Sequence, residues 1–202
     1  IKILDENYLK NVSKICKKYN ILLIADEIQT GLGRTGMLLA SDYSGIKPDI
    51  ICLGKALSGG FYPVSAVLAD NHIMNSITPG THGSTYGGNP LGSSIAITAL
   101  NVLIDENLIN NSYEVGDYFR KNLKNLYDCN SPIVNIRGKG LFNAMELDGN
   151  DVAEKLSLNL LKNGLLTKTT HGNILRLCPP LTITKHDIDD SIRIIEKSIR
   201  NV

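Results

Sequence analysis

Apolar and polar positions follow two different periods along the chain, and the places where one gives way to the other mark its elements. Between Asp5 and Tyr19, apolar or aromatic residues fall at positions 8, 9, 12, 15, 16 and 19, with Lys10, Lys14, Lys17 and Lys18 between them. That spacing predicts an amphipathic helix covering a sheet. ILLIA (21–25) is too apolar for a half-exposed strand and predicts a central parallel strand that ends in Asp26-Glu27. A glycine-rich loop (Gly31 to Gly36) and a short helical stretch near Leu38 to Tyr43 follow. DIICL (49–53) predicts a short, fully buried strand that ends at Gly54 and Lys55, and VSAVLA (64–69) a third strand. From Leu91 to Ile104 the sequence is apolar nearly all round, predicting a buried helix with Asn89 as N-cap and Pro90 at its first position.

Near Glu106 to Asn111 the sequence turns polar, and a domain boundary is expected there. A helix should then run to about Tyr127, with Val115, Phe119, Leu123 and Leu126 on one face. Residues 133–147 predict two strands around Arg137-Gly138-Lys139-Gly140, Asp151 to Asn163 a helix stopped by Gly164, and 173–178 a strand. Thr184 and Asp187 resemble a capping box that opens a last helix burying Ile188, Ile192, Ile195 and Ile199. The expected fold class is α/β, with a mainly parallel sheet and flanking helices in residues 1–106, followed by a small α+β domain in residues 107–202.

Composition narrows the partners. With 43% apolar residues in 202 the chain can supply a core, and its formal net charge of +1, without a basic run, argues against nucleic acid. No apolar run is long enough to span a bilayer. Cys16, Cys52, Cys129 and Cys178 lack CxxC spacing and are expected to be reduced and largely buried, which favours a reducing compartment, cytoplasm or mitochondrial matrix. His72, His82, His171 and His186 fit no metal-ligand spacing, so no metal site is expected. Ile1 stands where an initiator methionine would, no targeting segment is visible, and the chain reads as part of something longer.

Several residues carry candidate chemistry. Ligand sites of open α/β sheets lie outside the carboxyl ends of the strands, where both Asp26 and Lys55 are expected. A partly desolvated lysine can attack a carbonyl as a free amine, whereas a lysine that snorkels to water is the plainer reading. Asp26 could equally be a loop acid or helix cap. The loop HGSTYGGNP (82–90) offers hydroxyls and N–H groups to a phosphate, although Ser84-Thr85 could form a simple turn. Arg176 shares a strand face with Ile174 and Cys178, an apolar setting that calls for an anionic partner, either a substrate or an internal acid. Gly31, Gly33 and Gly36 satisfy GxGxxG, but DEIQT intervenes between the preceding strand and the first glycine, which argues against a dinucleotide site.

The run IADEIQTGLGRTG (24–36), followed by DIICLGKALSGG (49–60), resembles the signature of the class III (ornithine/acetylornithine) aminotransferases, and the similarity extends through HGSTYGGNPLG and LRLCPPL. The wording GKALSGGFYPVSAVLAD followed by GSTYGGNPLG is closer to the ornithine-using branch than to the acetylornithine-using one. The resemblance implies the aspartate aminotransferase fold, of which this chain would be the C-terminal half, and pyridoxal 5'-phosphate as cofactor. It makes Lys55 the Schiff-base lysine and places Asp26 at the pyridine nitrogen and Gln29 at the phenolic oxygen. Ser84 and Thr85 would contact the cofactor phosphate of the opposite subunit of a homodimer with shared active sites. Arg176 would bind a substrate carboxylate. The implied small-molecule substrates are L-ornithine and 2-oxoglutarate, exchanged in two steps at one site. The alternatives are acetylornithine or 4-aminobutyrate as amine donor, or a structural, dimerising piece that is inactive without the N-terminal half.

Overall fold

The computed structural model describes residues 1–127, 131–200 and 202. Its contacts divide the chain into two units. The N-terminal unit comprises residues 4–33 and 37–108, and the C-terminal unit residues 1–3, 34–36 and 109–202. The loop segment Arg34–Gly36 therefore belongs to a different unit from the residues on either side of it.

In the N-terminal unit, α1 (Tyr8–Lys18) precedes the sheet strands β1 (Ile24–Asp26), β2 (Ile50–Leu53) and β3 (Ala66–Ala69). β1 runs parallel to β2 and β3 antiparallel to it, in the order β1-β2-β3. Asp49 fixes the register by accepting the Leu23 N–H at 2.7 Å, while its own N–H donates to the Leu23 carbonyl. A 3-10 turn, Ala40–Ser44, occupies the region expected to be helical, and another, Lys55–Ser58, follows β2. The short helix α2 (Asn71–Met74) leads to the long α3 (Pro90–Asp105). Asn89 caps α3 as expected, its Oδ1 accepting the Gly92 N–H at 2.8 Å.

Four burial expectations fail in this unit. ILLIA is not buried: Ile24 is 58% exposed, because β1 is an edge strand with no neighbour on its outer side among the described residues. Tyr8 and Ile15 of α1 and Tyr19 just after it are exposed, so the apolar stripe of that helix is covered only in part, at half-buried Leu9, Val12 and Cys16. Only Gly92 and Leu103 of α3 are buried, and Ile97 is 61% exposed. DIICL is likewise half-buried until Leu53. A helix apolar all round has more faces than this unit has elements to pack on it.

The C-terminal unit closes around one core. Its sheet has the order β4-β5-β7-β6, built from β4 (Ile133–Lys139), β5 (Phe142–Leu147), β6 (Lys168–Thr170) and β7 (Ile174–Leu177), every neighbouring pair antiparallel. β6 (KTT) has no apolar alternation and was not visible as a strand; pairing with β7 makes it one. Helices α4 (Leu108–Asn125), α5 (Asn150–Lys162) and α6 (Lys185–Ile199) supply Phe119, Leu123, Leu156, Leu160, Ile188 and Ile195 to the core. α6 opens with the expected capping box: Thr184 Oγ1 accepts the Asp187 N–H at 3.2 Å, and Asp187 Oδ2 accepts the Thr184 N–H at 2.9 Å.

Two glycines permit a close approach here. A methyl group on Gly116 of α4 would run into the Gly140 carbonyl, and one on Gly140 into the backbone of Thr35 and Gly36. Gly140 also has φ +53°, a conformation that disfavours a side chain.

Cys16, Cys52 and Cys178 are free and half-buried, less enclosed than expected, and Cys129 lies outside the described residues. No described helix is long and apolar enough to cross a membrane, and no group of metal-ligating side chains occurs among the described residues.

Candidate active site

The N-terminal unit places Asp26 and Lys55 at the carboxyl ends of neighbouring parallel strands. Asp26 pairs with Cys52, and β2 ends at Leu53, from which the chain passes through Gly54 to Lys55. Asp26 Oδ1 accepts the Ile28 N–H at 3.1 Å, a tight turn that directs the chain away from the strand. Lys55 is exposed, not partly desolvated as its apolar neighbours suggested. Its φ of +45° is a left-handed conformation that costs a side-chain-bearing residue about 1–3 kcal/mol. Hydrogen bonds from Leu57 N–H to the Gly54 carbonyl (3.0 Å) and from Gly59 N–H to the Ala56 carbonyl (2.9 Å) hold the turn. α3 packs on this same turn, and a side chain at Gly59 would meet Ala99.

Gln29 is half-buried in the turn after β1. Ser84 and Thr85 are exposed in the loop that leads to α3. Ser84 Oγ accepts the Gly87 N–H at 3.0 Å, the turn role open to it from the start. A hydroxyl that accepts can still donate its own proton, so this turn does not remove Ser84 as a phosphate donor.

One residue of this region had no role in the sequence pattern. Glu27, beside Asp26, is only 3% exposed. Its carboxylate accepts the Ser41 N–H at 2.8 Å, the Ala40 N–H at 3.0 Å and the Thr30 hydroxyl. Adjacent acids at a strand end thus divide the work: Asp26 faces outward, and Glu27 pins the glycine-rich loop to the first 3-10 turn. The doubled acid was the signal in the sequence, but its partners could not be read there.

In the C-terminal unit, Arg176 sits half-buried on β7, flanked by buried Leu175 and Leu177, with its guanidinium 5.6 Å from the centre of the Phe142 ring. It pairs with Ala144 on one side and Lys168 on the other, and with Lys168 and Cys178 it lines a cavity of about 360 Å³ floored by Phe119 and Ile188.

The class-III aminotransferase family model matches residues 1–199. The chain belongs to the class-III aminotransferases. It is 52% identical to the probable mitochondrial ornithine aminotransferase of Caenorhabditis elegans over 195 residues, 96% of this chain and 46% of that protein. It is also 52% identical to an ornithine aminotransferase of Plasmodium yoelii yoelii over 198 residues, 97% of this chain and 48% of that protein. The chain therefore spans about half the length of the curated relatives it matches. Among solved structures, an acetylornithine aminotransferase from Elizabethkingia anophelis aligns with a TM-score of 0.95 at 51% identity, covering 99% of this chain and 53% of that one. The Plasmodium yoelii ornithine aminotransferase aligns with a TM-score of 0.94 at 50% identity, covering 100% and 55%. The expected α/β class and aminotransferase fold hold for this class-III chain.

Class-III aminotransferases use pyridoxal phosphate, and the residues present suit it. The strand-end edge offers a primary amine on Lys55 for an aldehyde and a carboxylate on Asp26 for a basic ring nitrogen.

Proposed function

We propose that the protein containing this chain transfers the δ-amino group of L-ornithine to 2-oxoglutarate, giving glutamate 5-semialdehyde and glutamate. The observation that carries the transaminase reading is the acid and the amine at adjacent parallel strand ends, Asp26 and Lys55. The choice of ornithine rests on relatives of that name at 52% identity.

When bound, pyridoxal phosphate supplies an aldehyde that takes up an amino group and a ring that accepts the electron pair released at the substrate carbon. Lys55 Nζ holds the cofactor between turnovers and carries the proton to and from that carbon. Its left-handed backbone is held by the hydrogen bond from Leu57 N–H to the Gly54 carbonyl, which closes the turn around Lys55. The Asp26 carboxylate keeps a proton on the ring nitrogen, and the Gln29 amide donates to the phenolic oxygen. Ser84 and Thr85 donate to the phosphate held by the second subunit of a homodimer. The Arg176 guanidinium, steadied over Phe142, binds a substrate carboxylate through two parallel N–H bonds.

The domains follow the same reading: residues 1–106 form the C-terminal part of a cofactor-binding domain and residues 107–202 the small domain. Exposed apolar residues of the N-terminal unit, such as Ile24 and Ile97, would be covered by the rest of the full-length polypeptide. The 202 residues alone are then unable to hold the cofactor. Free Cys16, Cys52 and Cys178 suit a reducing compartment, either cytoplasm or mitochondrial matrix. Acetylornithine is the second reading for the amine donor, favoured by the Elizabethkingia anophelis structure.

The deciding experiment incubates the full-length protein with ornithine and 2-oxoglutarate and measures semialdehyde. Lys55→Ala should lower turnover by about 10³-fold or more. Turnover of acetylornithine with no semialdehyde from ornithine would overturn the substrate assignment. For the 202-residue chain alone, added pyridoxal phosphate should give no Lys55-dependent absorbance; a stable band that Lys55→Ala abolishes would show it to be competent.

A further inference from the structure

Arg34 lies in the glycine-rich loop, yet it belongs to the C-terminal unit, where it is half-buried. Its Nη1 donates to the Pro179 carbonyl at 2.5 Å and to the Leu141 carbonyl at 3.4 Å. These carbonyls bracket one structural pair. Leu141 immediately precedes Phe142, the first residue of β5, and Pro179 lies just beyond the end of β7, the strand that carries Arg176. Phe142 and Arg176 stack on each other. One guanidinium thus ties together the two chain segments from which that stack is made.

The backbone of Arg34 is fixed as well. Its carbonyl accepts the Ser112 hydroxyl at 3.3 Å, and Ser112 Oγ accepts the Leu141 N–H at 3.2 Å. Thr35 and Gly36 press against Gly140 so closely that no side chain would fit there. The side chain therefore reaches the two carbonyls from a rigid support. Burial pulls the Arg34 guanidinium below its ordinary pKa, Cys178 counters this, and Arg176 pulls it further down.

We infer that Arg34 is a positioning residue for Arg176: by bridging the Leu141 and Pro179 carbonyls it holds the Phe142–Arg176 stack in the geometry that receives a carboxylate. The inference rests on the assignment of Arg176 to a substrate carboxylate. It makes Arg34 a determinant of carboxylate affinity, and not of the proton transfers at Lys55. A lysine at this position keeps the charge but ends in a compact tetrahedral ammonium, without the planar, pre-organised guanidinium whose Nη1 reaches both carbonyls.

A double-mutant cycle on the full-length holoenzyme tests this, using Arg34→Gln, Arg34→Lys, Arg176→Gln and the combination. The expected result is a KM for 2-oxoglutarate raised about tenfold in each Arg34 variant, within the range of coupled neighbours. Saturating kcat and the cofactor absorbance should stay close to those of the parent. In the Arg176→Gln background the Arg34 effect should largely vanish, because the residue acts through Arg176. Persistence of the full effect there, loss of cofactor in step with the rise in KM, or unchanged KM in the Arg34 variants while Arg176→Gln raises it would overturn the inference. Unchanged KM in Arg176→Gln would instead bring down the carboxylate assignment, and the inference with it. If Arg34→Gln does not fold, Arg34→Lys completes the cycle.

Discussion

The two units treat their apolar residues in opposite ways. In the C-terminal unit, Leu123, Leu141, Met145, Leu147, Leu156, Leu175, Ile188 and Ile195 have no exposed surface, and three helices and a four-stranded sheet close over them. The N-terminal unit buries Leu32, Leu53, Leu57 and Leu103 but leaves Ile21, Leu22, Ile24, Val67, Leu91, Ile97 and Ile104 exposed. Yet the residues proposed to hold the cofactor, Asp26, Gln29, Lys55, Ser84 and Thr85, all lie in the less enclosed unit. The contrast teaches that patterning and packing are separate questions. A sequence pattern records which faces are meant for burial, whether or not the residues at hand suffice to cover them.

The contrast can be broken most directly at its extremes. Leu123→Ala removes a side chain with 0% exposure and should cost about 2–5 kcal/mol, read from the urea midpoint. Ile97→Ala on α3 should change stability by no more than about 0.5 kcal/mol in the same chain. Equal losses at the two positions would mean that the N-terminal unit packs as tightly as the C-terminal one.

Glu27 sharpens the comparison, because it is the best-enclosed charged group of the N-terminal unit. Replacing it with Gln puts an amide against one of the Ala40 and Ser41 N–H donors and should cost about 1–3 kcal/mol. Faster hydrogen exchange confined to residues 30–44 would accompany that loss if the carboxylate organises the loop. A smaller loss than at Glu27 is expected in the well-packed unit, at the start of α6. Thr184→Ala should lose about 1 kcal/mol of cap stability. The Thr184 hydroxyl, then its N–H, hold the Asp187 carboxyl below the ordinary carboxylate range. A carboxyl lowered by folding adds stability above its unfolded pKa and loses that contribution as the pH falls through the folded value. Asp187→Asn should therefore melt below the parent at neutral pH and converge with it in acid, as followed by circular dichroism.

Local signals were legible wherever a residue acts on near neighbours. Asn89 and Pro90 announced α3, Thr184 and Asp187 announced α6, and the strand-end positions of Asp26 and Lys55 followed from the apolar runs before them. What escaped depends on distant partners. β6 is a strand only because β7 lies beside it. The contacts of Arg34 lie 107 and 145 residues away, at backbone carbonyls that any residue would present equally. The exposure of ILLIA and of α3 could not be seen either, since burial depends on what covers a segment and not on its own composition.

The three residues Arg34–Gly36 also decide where this chain can be divided. They fill the space over Gly140, accept the Ser112 hydroxyl and hold the Pro179 carbonyl, so the C-terminal unit is discontinuous in sequence. A polypeptide cut at the apparent boundary and begun at Ile109 would carry every strand and nearly every helical residue of that unit but not its strap. Gly140 would then face solvent, and the β4–β5 turn would lose the backbone packed against it. Any dissection into separately expressed parts would have to graft RTG back in, and libraries that vary the glycine-rich loop would be altering the foundation of the other unit.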